Sequence, residues 1–143
     1  MKLPLELARA RLFCRGVILR GEMRLDAATK PKYLIVVSLS EDVDPVFAVI
    51  TTSQMDWHER HPGHGVRIPA KTVDAFVKDT IVDCRKLYPL TRDDILARYM
   101  ADQLEYCGEL PPEVLERVTL GLAASTVLAP VEKALVVPAN GDQ

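Results

Sequence analysis

Two apolar runs dominate the pattern of the chain: Tyr33-Leu34-Ile35-Val36-Val37-Ser38 and Val46-Phe47-Ala48-Val49-Ile50-Thr51-Thr52. Neither alternates with polar residues, so each reads as a strand covered on both faces. The acidic turn Glu41–Pro45 between them is short, which makes the pair antiparallel. Before them, residues 3–13 place Leu5, Ala8 and Leu12 on one helical face, and Gly16 opens a further β-like run, Val17-Ile18-Leu19. The polar stretch Glu22–Lys32 reads as a loop between strands, as does the Pro- and Gly-bearing segment 53–65.

Further along, Val66-Arg67-Ile68 alternates as a short strand, and Thr72–Phe76 fits neither period. Thr80–Leu87 reads as a strand ended by Pro89. Thr91-Arg92-Asp93-Asp94 has the form of a capped helix start leading through Tyr99. Leu104–Cys107 reads as a strand ended by Gly108. Pro111-Pro112-Glu113 then opens the best-defined helix, Pro112 to about Leu128. Val114, Leu115, Val118, Leu122 and Ser125 form its packing face, and Pro130 limits it. This order predicts an α+β fold, mostly β: a small curved antiparallel sheet or barrel with attached helices. One domain spans residues 1–143, with its core in about 14–128 and a loose tail from about 131.

Composition narrows the function classes. The chain has 143 residues, and its 48% hydrophobic and 27% charged content is that of an ordinary globular protein. The net charge of −2 does not suit bulk binding to duplex DNA, but it leaves room for a single strand in a local basic groove. The N-terminal residues are interrupted by charges, and no run reaches the ~20 apolar residues of a membrane span. The expectation is therefore a cytoplasmic protein. Cys14, Cys84 and Cys107 match neither a zinc nor a redox spacing, and read as reduced thiols.

The loop at 53–65 carries His58, His61 and His64 with the single tryptophan, Trp57. The imidazoles are either solvated, in contact with a substrate, or metal ligands; structural zinc spacings ordinarily include cysteine, which disfavours the last. Trp57 either caps the core or stacks on a base beside Arg60.

Five stretches of the chain, taken in order and spacing, resemble the MazF/PemK toxins of bacterial toxin–antitoxin pairs. They are the Gly-led strand Gly16–Leu19, the Lys30-Pro31-Lys32 segment running into Tyr33–Ser38, the strand Phe47–Ser53 with its hydroxyl end, and the late strand Asp79–Leu87 followed by Gly108–Leu115. The likeness covers about residues 14–128. It implies an SH3-like barrel with a C-terminal helix, often a homodimer, that cuts single-stranded RNA without metal or cofactor. In that chemistry the ribose 2′-oxygen attacks the neighbouring phosphate, and the site must take a proton, give a proton and stabilise charge on phosphorus.

Carried over residue by residue, the resemblance makes Lys30, Thr51 and Asp83 the catalytic candidates. Thr52 and Ser53 are alternatives to Thr51, and the candidate substrate contacts are Thr52, Ser53, Trp57, His58, Arg60 and Lys86. Lys30 stands where the family has Arg, and offers a point charge in place of a planar two-pronged donor. The plain alternatives are a solvated cation at Lys30, strand-end residues at Thr51 and Thr52, and an outward-facing acid at Asp83. Implied partners are single-stranded RNA, an antitoxin protein and a second copy, paired through the loops at 20–32 and 53–65. The same fold also serves non-catalytic binding modules, including gyrase-poison-like toxins, and inactive relatives.

Overall fold

The computed structural model describes residues 2–25, 28–52 and 55–139. Among them are β1 (Val17–Leu25), β2 (Ala28–Val36), β3 (Val46–Thr52), β4 (Gly65–Ile68), β5 (Thr80–Asp83), β6 (Tyr88–Leu90) and β7 (Leu104–Glu109). The helices are α1 (Leu5–Arg11), α2 (Met55–Arg60), α3 (Arg92–Met100), α4 (Pro112–Ala124) and α5 (Pro130–Val136). Every pairing is antiparallel, in the order β4-β5-β3-β2-β1-β7, with β6 also on β3. This is the α+β, antiparallel fold class that the sequence predicts. None of the described helices is long and apolar enough to cross a membrane.

The unbroken apolar runs have a plain physical origin. Successive side chains of a strand point to opposite faces. Ile18, Ile35 and Val49 pack into one cluster with Val114, Val118 and Leu122 of α4 and Val136 of α5. Their neighbours Val17, Leu19, Leu34, Val36, Ala48 and Ile50 pack into a second cluster with Ala8 of α1 and Ile95 and Tyr99 of α3. The middle of the sheet is thus buried on both sides.

β3 is the corner of the fold. Ala48–Ile50 pair with β2 along one edge. On the other edge, Val46–Ala48 pair with β6, and Thr51 and Thr52 then pair with β5. The two threonines therefore sit where β3 leaves the central sheet for the β4–β5 arm.

The structure corrects several sequence expectations. Residues 22–25 and 28–32 are strand, not loop: β1 and β2 continue as a hairpin arm with Glu22 opposite Pro31 and Met23 opposite Lys30. β3 pairs with β2 only from Leu34 onward, so Pro31 lies where β2 has a single neighbour and its missing N–H is tolerated. Pro89 lies inside edge strand β6 opposite Phe47 rather than ending a strand, and the expected strand to Leu87 stops at Asp83. Thr91 occupies the N-cap of α3 without a side-chain bond, and the Arg92 N–H is instead accepted by Asp44 at 3.1 Å.

Residues 55–60 of the expected polar loop form the short α2. The last helix ends at Ala124 because Ser125 turns extended, its hydroxyl accepting from the Val127 and Leu128 N–H groups at 3.3 Å. Pro130 then starts a helix rather than only ending one. The tail expected to be loose from about 131 is helical through Val136, which is fully buried.

Gly121 tests how closely α4 sits on the β4–β5 arm. A β-carbon there would overlap the Val66 side chain and lie 3.2 Å from Cys84 Sγ. Gly→Ala in a helix ordinarily gains about 1 kcal/mol. Forcing a methyl against a short, β-branched neighbour costs about 1–3 kcal/mol. Gly121→Ala is therefore expected to lower the urea midpoint, and a raised midpoint would show that this contact is slack.

Candidate functional site

Thr51 and Thr52 form part of a groove of about 240 Å³. One wall is Lys32 and Tyr33 of β2; the other is Ala75–Thr80, from the connection between β4 and β5. Thr51 is buried and Thr52 half-buried. Asp79 also lines the groove, but its carboxylate accepts from Arg67 and, at 2.7 Å, from the Ala70 N–H. Those bonds hold the Asp79 carboxyl below its ordinary range. The groove therefore presents two lysines, Lys32 and Lys78, and an acid that is already neutralised.

A second cluster is built around Trp57. His61 stacks on the indole with ring centroids 4.1 Å apart, the Arg85 guanidinium lies 4.2 Å from its centroid, and His58 meets it edge-on at 4.8 Å. Asp83, at the end of β5, is gripped by Arg85 through Nε at 2.9 Å and Nη2 at 2.7 Å, with the Arg85 N–H adding a third bond at 3.0 Å. Burial works against a charge on Asp83, yet the Arg85 hydrogen bonds and positive charge outweigh it and hold the carboxyl below its usual range.

His58 is buried, and neither ring nitrogen has a hydrogen-bond partner among the described residues. Its ring lies over Gly65, where a β-carbon would come within 2.8 Å of Nδ1, so only glycine lets β4 pass this close. Among the described residues, no three His, Cys, Asp or Glu side chains are grouped to hold a metal ion. Burial, with Asp83 adding to it, pushes the Cys84 thiol up to about 12, which leaves it inert near neutral pH.

The candidates of the sequence thus fall in two places. Thr51 and Thr52 line the groove. Trp57, His58 and Asp83 meet in the second cluster, with the indole covered by His61 and Arg85 rather than paired with Arg60, which is exposed. Lys86 is exposed and lies 4.9 Å from the centre of the Tyr88 ring. Ser53 lies outside the described residues, as does the side chain of Lys30, whose backbone belongs to β2. Sequence reading missed Lys32, Lys78 and Arg85. Only Arg85 carried a signal, being two residues from Asp83 and therefore placed to turn back onto it.

No protein-family model and no curated protein matches the chain. Among solved structures it is similar to the crystal structure of MazE-MazF from Deinococcus radiodurans. That match has 18% identity and a TM-score of 0.52, and covers 77% of this chain and 92% of the other. At that identity the likeness is one of fold: this chain has a MazF-like fold.

The buried imidazole makes stability depend on pH. Burial lowers the pKa of His58 from its ordinary 6.5; Asp83 opposes this, and Arg85, His64 and His61 add to it. The unfolded chain then binds a proton more readily than the folded one, so the contribution of His58 is complete above pH 6.5 and is lost as pH falls toward the folded-state value. The depressed Asp83 carboxyl acts in the same direction, but only below 3.8. The melting temperature should fall as pH drops below 6.5, and His58→Leu should flatten that fall. An unchanged slope in His58→Leu would place the titrating group elsewhere.

Proposed function

We propose that this protein is a toxin of the MazF type: a homodimeric, metal-independent endoribonuclease of single-stranded RNA, held in check by an antitoxin protein. The observation that carries the proposal is the groove at the end of β3. Two hydroxyls there, Thr51 and Thr52, meet two cations, Lys32 and Lys78, on a MazF-like fold.

The chemistry asked of such a groove is modest. A ribose 2′-oxygen attacks the adjacent phosphorus as its proton is taken, the 5′-oxygen of the next nucleotide leaves with a proton, and a cyclic phosphate remains. Negative charge accumulates on the phosphoryl oxygens, and ammonium groups and hydroxyls aimed at them stabilise that charge more in the transition state than in the ground state. In this proposal Lys32, with Lys30 two positions earlier on β2, supplies the charge, and Thr51 and Thr52 donate hydrogen bonds. Proton transfer falls to Asp83 or a neighbouring histidine.

A second reading is a binding module on the same scaffold that blocks a partner without cutting RNA. The three hydrogen bonds that Arg85 makes to Asp83 favour it, since they leave that carboxylate little basicity.

The test is cleavage of a mixed single-stranded RNA pool by the purified protein with EDTA present. Wild type should cut. Lys32→Ala and Lys30→Ala should each lose about 10²–10³-fold in rate, the usual result of removing one charge-stabilising contact, while Lys30→Arg should keep or raise activity. Undiminished cleavage by both alanine variants would show that the site is elsewhere. No cleavage by any folded form would favour the binding module.

A further inference from the structure

The outer wall of the groove is built with more care than an exposed connection between two short strands requires. Between Pro69 and Asp79 the chain folds on itself: the Lys71 N–H donates to the Phe76 carbonyl at 3.0 Å, Thr72 N–H to Pro69 at 3.2 Å, and Phe76 N–H to Val73 at 2.9 Å. Lys71 takes a positive φ of 66°, a conformation that non-glycine residues seldom adopt. Val73 and Phe76 are buried in the core, and Phe76 meets the Tyr33 ring edge-on at 5.1 Å across the groove.

The neck of this loop is closed by one carboxylate. Asp79 accepts from the Arg67 guanidinium on β4 and from the Ala70 N–H, and so ties the end of the loop to its beginning. Arg67 is itself fixed from behind, because its carbonyl accepts from Arg117 Nη2 at 2.6 Å. The Lys78 carbonyl, next to the clasp, accepts from the Thr80 hydroxyl at 3.0 Å. The backbone on both sides of Lys78 is therefore pinned, and Lys78 lines the groove whose other wall carries Lys32.

We infer that Lys78 is a phosphate-binding residue of this groove and that the Arg67–Asp79 pair is the positioning element that presents it. The inference deepens the RNA reading above and rests on it. Lys32 and Lys78 on facing walls suit a polyanion threaded between them, with one cation for each of two backbone phosphates. Such contacts hold a strand without reading its sequence.

The experiment measures binding apart from cleavage. The probe is a fluorescent, mixed-sequence single-stranded RNA with 2′-O-methyl groups, which cap the attacking oxygen, titrated by anisotropy over a range of salt. Lys78→Ala should weaken binding about tenfold, evenly across sequences, and reduce the salt slope by about 0.7, while Lys78→Arg should retain both. In cleavage assays the loss should fall on KM and leave kcat unchanged.

Asp79→Asn is the sharper variant, because charge and position predict opposite signs. Removing a negative charge from the groove wall, and freeing Arg67, would by electrostatics alone tighten the hold on RNA. Loss of the clasp predicts weaker binding and a raised KM instead. If wild type binds and cuts while Lys78→Ala and Asp79→Asn bind as tightly as wild type, the inference is wrong and the proposed function stands. If folded wild type neither binds nor cuts, both fall together. Lys78→Ala alters only an exposed side chain, so its result does not depend on whether Asp79→Asn folds.

Discussion

The central strands of this protein are apolar on both faces, and they must be covered twice. Ile18, Ile35 and Val49 point one way and their immediate neighbours the other. Each buried side chain of that size is worth about 1.5–3 kcal/mol against exposure, so leaving either face wet would cost far more than a domain's net stability. That requirement recruits α1 and α3 on one side and α4 and α5 on the other. It also explains why the chain continues past α4: Val136 of α5 reaches the same cluster as Val114 and Val118.

The position of the groove follows from that double burial. A strand flanked by helices on both faces can reach solvent only at its end, and β3 ends where it exchanges β6 for β5 along one edge. Its last two residues, Thr51 and Thr52, are the first polar positions after the run Val46–Ile50. The transition from core to site is thus a transition along a single strand. The rigid half of the site comes from the packed sheet, and the Pro69–Asp79 connection supplies the other half through its two buried anchors, Val73 and Phe76.

The legible parts of the sequence are those where burial decides residue type. The strand over 33–36 (expected to run to Ser38), the strand at 46–52 and the face of α4 were readable because apolar positions record a packed neighbour. The hairpin arm built from residues 22–25 and 28–32 was not, since Lys30-Pro31-Lys32 carries loop-like composition. α2 was hidden because a six-residue helix burying chiefly His58 has no apolar period to show. α5 was hidden because proline both ends and starts helices. In the groove, Thr51 and Thr52 were visible as the hydroxyl end of an apolar strand, whereas Lys78 joins Lys32 in its lining from a loop closed by Arg67 and Asp79.

Net charge misleads about what such a surface can bind. The chain carries more acid than base, yet the acid that lines the groove is engaged within the protein: Asp79 is held by Arg67 and the Ala70 N–H. A paired carboxylate projects little field beyond its partner, and at physiological ionic strength charges farther than about 8 Å away are largely screened. The charge along the groove is therefore set locally, by lining residues that include Lys32 and Lys78. The same ion pair that fixes the loop also removes the repulsion that a free carboxylate would exert there. In this fold, closing the loop and occupying the carboxylate on the groove wall are one arrangement of charges, the Arg67–Asp79 pair.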